Sequence, residues 1–485
     1  MEWLIITIYG LTLLIICLFS LGQFNLAWHY LKSKKVIEDE LAPLSDHPIV
    51  TVQLPVYNER YVISRLIDAV VEFNYPKDKL EIQVLDDSND ETVDIIAEKV
   101  EQYKKEGFDI EHVRRPERVG FKAGALQYGM NHSKGDFIAI FDADFVPAKD
   151  FLLKTLPRFR SEKIGMVQTK WAHLNSNYGM LTRIQAFWLN AHFTVEQKGR
   201  EQAGSFINFN GTAGVWRKSC IEDAGGWQHD TLTEDLDLSY RAQLKGWKFV
   251  YREEVESPAE LPVLIPAVKS QQYRWNKGAA ETARKTLRKV LSSDIPLVHK
   301  TRAVFHLLNS SVFLLLLIAA ILSIPMLYIK EYNPNLGMIF DFGSIFLIGF
   351  LAMGFFYWVS AKATHPEYTF KYFMVNFPVF LAFSMGMALH NSIAVVEGYL
   401  GIKSPFVRTP KFNIKSKDDS WKGNIYLNKV LTPATFMEGM LAIYFIYGIV
   451  SGFKLEDYGL LLFHLMLAIG FTFVFYLSVK PIRHA

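Results

Sequence analysis

The feature that most limits how this 485-residue chain folds is the blockwise distribution of its charges. Residues 3–22 carry no charged side chain, enough helix to cross a hydrocarbon core of roughly 30 Å. Further apolar runs occupy about 311–329, 342–360, 435–450 and 459–479, all in the last third of the chain. Residues 32–302 instead mix charges, short β-branched runs and turn signals, as a water-exposed domain of roughly 270 residues does, ample for a large core. The expected layout is an anchor, a folded domain and a group of spans.

Composition agrees, since 50% hydrophobic and 14% aromatic content is high for purely soluble material. The start, Met1-Glu2 followed at once by apolar residues, predicts an anchor and not a cleaved leader, which would open on a basic stretch. Lys32, Lys34 and Lys35 follow the first span, and an excess of Lys and Arg marks cytoplasmic flanks, so the middle domain is expected in the cytosol. The same rule puts 403–429 inside, where Lys403, Arg408, Lys411, Lys415, Lys417, Lys422 and Lys429 face only Asp418 and Asp419. Lys480 and Arg483 belong inside too. Two out-and-back hairpins then leave 372–400 without a crossing, and its Pro378, Gly386, His390, Asn391 and Glu397 predict an interfacial or re-entrant segment, so its placement separates five spans from six. The expected domains are therefore an N-terminal transmembrane helix 1–31, a cytosolic domain 32–302 with an interfacial helix near 270–290, and a membrane region 303–485. A formal charge of +3 argues for no nucleic-acid partner, and two cysteines, Cys17 and Cys220, support neither a disulfide framework nor a zinc site.

Within the middle domain, 49–55, 81–85 and 137–141 read as strands, and Val62, Leu66, Ile67, Val70 and Val71 recur at helical spacing between the first two. The fold expected is α/β with nucleotide-binding, Rossmann-like winding. Ligands of open α/β sheets sit beyond the carboxyl ends of the strands, and these three strands run into Asn58-Glu59, Asp86-Asp87 and Asp142-Ala143-Asp144. Five carboxylates at one sheet edge suit a divalent cation, Mg²⁺ or Mn²⁺, which takes oxygen ligands and leaves positions for substrate phosphates. Asp-x-Asp alone is common in turns, and Asp86 to Asp90 would serve as a helix cap; coincidence at successive strand ends is what favours a site. No Gly-x-x-x-x-Gly-Lys-Ser/Thr loop is present, whereas Lys122 opens a helical run and adds charge beside phosphates.

Downstream come Thr233-Glu234-Asp235 and Gln271-Gln272-Tyr273-Arg274-Trp275. Together with Asp86-Asp87 and Asp142-x-Asp144, in that order, this set resembles the signature of processive family 2 glycosyltransferases, the group of cellulose, chitin and hyaluronan synthases. The wording of 84–88, 141–145, 209–217 and 244–249 is most similar to the cellulose synthase-like mannan and glucan synthases, and likeness is strong over about 48–290. The stretch 406–411 resembles the gating loop of cellulose synthase, with Arg408 where a valine is usual.

The resemblance implies a GT-A-type domain joined to an α-helical transmembrane bundle in a cell membrane, inner or plasma. It implies an inverting hexosyltransferase that polymerises a β-linked glucan, mannan or glucomannan from UDP-glucose or GDP-mannose with coupled export, leaving room for an accessory export subunit. Asp235 is then the base for the acceptor hydroxyl. Tyr57, Glu59, Asp86, Asp87, Lys122, Asp142, Gln271 and Arg274 hold the nucleotide sugar, Asp142 and Asp144 the metal, and Trp275, Glu234 and Asn210 the growing polysaccharide. The alternatives are transfer to a membrane lipid such as ceramide or polyprenyl phosphate, and an inactive transport or binding scaffold.

Overall fold

Seven strands form one mixed sheet, β1 (Val50–Val56), β2 (Leu80–Asp86), β3 (Asp109–Val113), β4 (Phe137–Ile140), β5 (Ile164–His173), β6 (Gly214–Arg217) and β7 (Lys248–Ala259). They lie in the order β3-β2-β1-β4-β6-β5-β7, and β6 alone runs antiparallel to its neighbours. β1 and β2 are near-continuously apolar, as strands covered on both faces are. Their few polar residues pair across the register: Thr51 Oγ1 donates to Glu81 Oε2 at 2.5 Å, and Gln53 Nε2 to Gln83 Oε1 at 3.1 Å. The helix Ile63–Val71 covers one face with Ile63, Leu66, Ile67, Val70 and Val71. On the other face, Leu126 and Met130 from the helix Phe121–His132 join Ile138, Ile140, Trp216 and Leu238 in a second core. The winding reverses between β1 and β4, so a crevice opens beyond their carboxyl ends.

The computed structural model describes residues 1–33, 46–336, 344–404, 407–416, 418–421, 426 and 431–483. Lys34, Lys35, Phe342, Phe406, Lys417, Lys422 and Lys429, which belong to the sequence patterns above, lie outside them.

Among the described residues, five helices are long and apolar enough to cross a membrane: Glu2–Ser33, Ser311–Tyr332, Leu347–Thr364, Pro433–Lys454 and Leu461–Lys480. They leave large apolar side chains uncovered by protein, among them Leu351, Ile443 and Leu462, as lipid-facing surfaces do. The stretch 372–400 forms two helices, Thr369–Gly386 and Ala388–Leu400, bent by 53° and together long and apolar enough for a sixth crossing. The 28-residue helix Ile265–Ser292 lies between sheet domain and spans. Lys269 Nζ donates to Glu438 Oε1 and Oε2 at 2.7 Å, Lys277 Nζ to Glu397 Oε2 at 3.1 Å, and Asn391 Nδ2 to Gln272 Oε1 at 2.8 Å. These buried polar contacts fix the domain's height and rotation on the helices.

Candidate active site

Strand ends, two helix starts and one distant loop meet at the crevice. β1 delivers Tyr57 and Glu59, and the guanidinium of Arg118 stacks 3.3 Å above the Tyr57 ring. β2 delivers Asp86 and Asp87 to opposite surroundings. Asp87 lies on the cavity wall, gripped by Arg115 Nε at 2.7 Å and Nη2 at 2.6 Å. Asp86 is buried off the wall, where Oδ1 accepts the Ser88 N–H and Oδ2 meets His112 Nε2, each at 2.8 Å. Burial opposes its charge, but these bonds hold its carboxyl below the usual range. Register explains the split, because β2 pairs with β3 and the last residue of β2 turns toward His112.

Beyond β4, Asp142 and Asp144 both face the cavity, and each already has a lysine. Lys122 Nζ, from the first turn of the helix Phe121–His132, donates to Asp142 Oδ1 at 2.5 Å and to the Gly211 carbonyl at 2.8 Å. Lys411 Nζ donates to Asp144 Oδ2 at 2.6 Å. Burial works against both ammonium groups, yet the surrounding carboxylates outweigh it and hold their pKa values up. The residues fit a divalent cation by one further observation: Glu260, next to Asp144 at the end of β7, is buried with Oε2 unpartnered. Two aspartates with that oxygen form an acidic lip, although the described residues contain no cluster of three or more ligands. One or two carboxylates suffice for Mg²⁺ or Mn²⁺ when substrate phosphates supply the rest.

Thr233-Glu234-Asp235 opens the helix Glu234–Leu244 on the facing wall. Asp235 Oδ1 accepts the Leu236 N–H at 2.8 Å, leaving Oδ2 toward the loop 210–211, where a methyl on Gly211 would stand 3.1 Å from it. Burial and the adjacent Glu234 push the Asp235 carboxyl up to about 7; Glu234 is raised too, by burial. A carboxylate tuned toward neutrality in a cleft is suited to moving a proton. Helix Ile265–Ser292 presses against this turn through Gly278, where an added Cβ would meet Thr233 Cγ2 at 2.6 Å. One to two turns earlier it presents Trp275, Arg274 and Gln271 to the cavity. Trp275 packs edge to face on Trp188 with centroids 5.8 Å apart, near Trp171, Leu189 and Leu261. Asn210 lines the same wall.

Of the residues singled out from sequence, all except Asp86 line this one cavity. It also takes Arg118 and Glu260, which the sequence motifs do not mark, and Arg408, Thr409 and Lys411 from the stretch whose wording resembles a gating loop. Arg408 Nη1 pairs with Glu59 Oε2 at 2.6 Å, Arg274 Nη2 donates to Thr409 Oγ1 at 2.9 Å, and the Phe412 N–H donates to Glu260 Oε1 at 2.8 Å. Burial raises the Glu59 carboxyl to about 7 despite Arg408. The cluster Arg114-Arg115-x-x-Arg118 after β3 was a usable signal for Arg118, and the loop's basic run was one for Lys411.

Residues 47–290 match the family model described as "Glycosyltransferase like family 2". The chain is 43% identical over 281 residues to a probable glucomannan 4-beta-mannosyltransferase 4 of Oryza sativa subsp. japonica, covering 57% of this chain and 51% of that protein. It is 40% identical over 284 residues to glucomannan 4-beta-mannosyltransferase 7 of Arabidopsis thaliana, covering 58% and 50%. The chain thus spans about half the length of these curated relatives. Among solved structures it resembles the mannosyltransferase PcManGT from Pyrobaculum calidifontis in complex with GDP-Man and Mn²⁺, with a TM-score of 0.52 and 20% identity over 73% of this chain and 99% of that one. At that identity the likeness concerns the fold, a GT-A-like α/β sheet.

Proposed function

Because the chain belongs to the family 2 glycosyltransferases, we propose that it extends a β-linked mannan or glucomannan, using GDP-mannose as donor, from the cytosolic face of a cell membrane. The observation that carries this is one cavity in which Asp235, Lys122, Arg274 and Asp142 converge beside Trp275, whose helix Ile265–Ser292 is tied to the apolar helix Pro433–Lys454 by Lys269 and Glu438. The mannosyltransferase names of the relatives favour mannose over glucose.

In this reading the nucleoside lies along Tyr57, Asp87 and Arg118, where an aromatic face and a paired carboxylate meet. The diphosphate lies by Lys122 and Arg274, and a guanidinium suits phosphate oxygens because its planar fork donates two parallel bonds. The acceptor sugar stacks on Trp275 near Asn210 and Glu234, with its terminal hydroxyl at Asp235. Asp235 takes the hydroxyl proton as the new glycosidic bond forms and the bond from the sugar to the diphosphate breaks with inversion. Asp142 and Asp144 would hold the divalent cation, which when bound neutralises charge on the departing diphosphate. Sequestration from water comes from Trp275, Trp171 and Leu261, which make one side of the cavity apolar.

The test is incubation of membranes containing the protein with radiolabelled GDP-mannose and UDP-glucose, each with Mg²⁺ or Mn²⁺. The expected product is a polymer from GDP-mannose that an endo-β-mannanase degrades. A product no larger than a glycolipid, or incorporation from UDP-glucose alone, overturns the reading.

A further inference from the structure

Behind Asn210 lies a buried ionic group that the proposed chemistry does not use. The helix Met180–Asn190 continues through one π-helical turn, Ala191–Glu196, before resuming as Gln197–Gln202. Single π turns inside α-helices frequently sit at functional sites. Here Nδ1–H of His192 donates to Glu196 Oε2 at 2.9 Å, and Glu196 Oε1 accepts from Arg200 Nη2 at 2.6 Å and Nε at 3.1 Å. Glu196 and Arg200 are buried. Burial opposes the Glu196 charge, but Arg200 and His192 outweigh it and keep the carboxyl well below its usual range. A desolvated, ionised pair of this kind holds its geometry stiffly, since either partner alone would be costly.

The opposite edge of the imidazole meets the site. The Nε2–H of His192 donates to Asn210 Oδ1 at 3.1 Å, and Asn208 Nδ2 donates to the same oxygen at 2.9 Å. The Asn210 N–H donates to Gln168 Oε1 at 2.9 Å, so both ends of the asparagine are held. Gly211 comes next with φ +79°, close against Asp235 Oδ2 and Lys122 Nζ. His192 itself is not on the cavity wall. Its turn backs onto the aromatic side of the cavity through Phe193, Trp171 and Leu189. From behind, Ala191 and Val195 pack on Ala27 and Tyr30 of the first helix and on Phe356 and Tyr357.

We infer that His192 is a positioning residue for the acceptor: clamped by Glu196, it orients Asn210 and, through it, the 210–211 peptide against Asp235, so that it governs transfer and not donor binding. This rests on the glycosyltransferase reading of the cavity. It also makes the apolar helices the backing against which the acceptor side of the site is held.

Two substitutions separate the ring's two contacts. The amide of His192→Asn reaches the place of Nδ1 and keeps Glu196 while losing Asn210; that of His192→Gln reaches the place of Nε2 and does the reverse. Full-length variants in membranes are assayed with GDP-mannose and a β-linked manno-oligosaccharide primer. His192→Asn is expected to lower kcat for transfer on the order of 10²-fold, as loss of orientation does, with KM for GDP-mannose changed by less than about twofold. His192→Gln is expected to recover at least about a tenth of the wild-type rate. Combining His192→Asn with Asn210→Ala should give non-additive losses, whereas His192→Gln, which keeps the contact, should combine nearly additively with Asn210→Ala; His192→Ala completes the first cycle if His192→Asn fails to accumulate. Equal losses in the two His192 variants, a donor KM that moves, or additive losses for His192→Asn with Asn210→Ala overturn the inference. Wild-type protein that turns over no nucleotide sugar overturns instead the reading beneath it.

Discussion

Replacing Glu234 by Gln should move the acid limb of the pH–rate profile without removing the base. Glu234 and Asp235 are neighbours in the first turn of one helix, and burial, then the Glu234 charge, lifts the Asp235 carboxyl to about 7. A base acts deprotonated, so activity is full above that pKa and lost as pH falls through it; near pH 6 the wild type should keep about a tenth of its plateau. Glu234→Gln preserves shape and removes the repulsion. Burial, the larger cause, remains, so the limb should fall by about one pH unit, equivalent to about 1.4 kcal/mol. At pH 6 the variant then keeps about half of its own plateau. The assay is kcat/KM for primer extension across about pH 5 to pH 9 at saturating donor and metal, with each variant normalised to its own plateau so that lost acceptor contacts do not enter. A limb that stays in place or moves to higher pH refutes the assignment of Asp235 as the titrating base.

Asp235→Asn should lower transfer by about 10²–10⁴-fold while GDP-mannose binding, measured by displacement, stays within about twofold; normal turnover would rule out the base. Gly278→Ala should cut turnover because its methyl would fall 2.6 Å from Thr233 Cγ2 and displace the turn carrying Asp235, and unchanged kinetics would show that the contact relaxes freely. Lys277→Met leaves Glu397, whose side chain is 27% exposed, with the Tyr273 hydroxyl as its donor, so the cost should lie below that of a fully broken buried pair, at about 2–3 kcal/mol, seen as a lower Tm in detergent. Lys277→Met with Glu397→Gln should recover most of that loss. Chelation with EDTA should stop transfer and added Mn²⁺ or Mg²⁺ restore it; full activity in EDTA would remove Asp142 and Asp144 from a metal role.

Strands β1, β2 and β4, the apolar helices and the acidic residues of the cavity wall were legible because each depends on local pattern. A parallel strand covered on both faces is apolar throughout, a lipid-facing helix excludes charge over 18 residues or more, and the residues just past a strand's carboxyl end are displayed at the sheet edge. Hence Glu59, Asp87 and Asp142 could be placed at one edge without knowing their neighbours. Asp86 shows the limit. It shares its motif with Asp87, but only the pairing of β2 with β3 brings His112 within 2.8 Å and takes its carboxylate off the wall.

The remainder of the site comes from contacts over long sequence separations, whose partners no local pattern names. Lys411 is separated from Asp144 by 267 residues and reaches it because the helix Ile265–Ser292 is pinned to the spans by Lys269 and Lys277. His192 and Asn210 are 18 residues apart, yet the π turn that carries the histidine brings its ring within 3.1 Å of Asn210. The raised Asp235 carboxyl likewise results from burial, a property of the packed domain and not of Thr-Glu-Asp as a string. By itself the sequence determined the class of chain, an α/β domain set among apolar helices with an acidic sheet edge, because hydropathy and strand composition act within a few residues. Only the tertiary structure decided which carboxylates keep a lysine, which one is tuned toward neutrality and which histidine stands behind the site, because desolvation and pairing depend on what the rest of the chain packs against them.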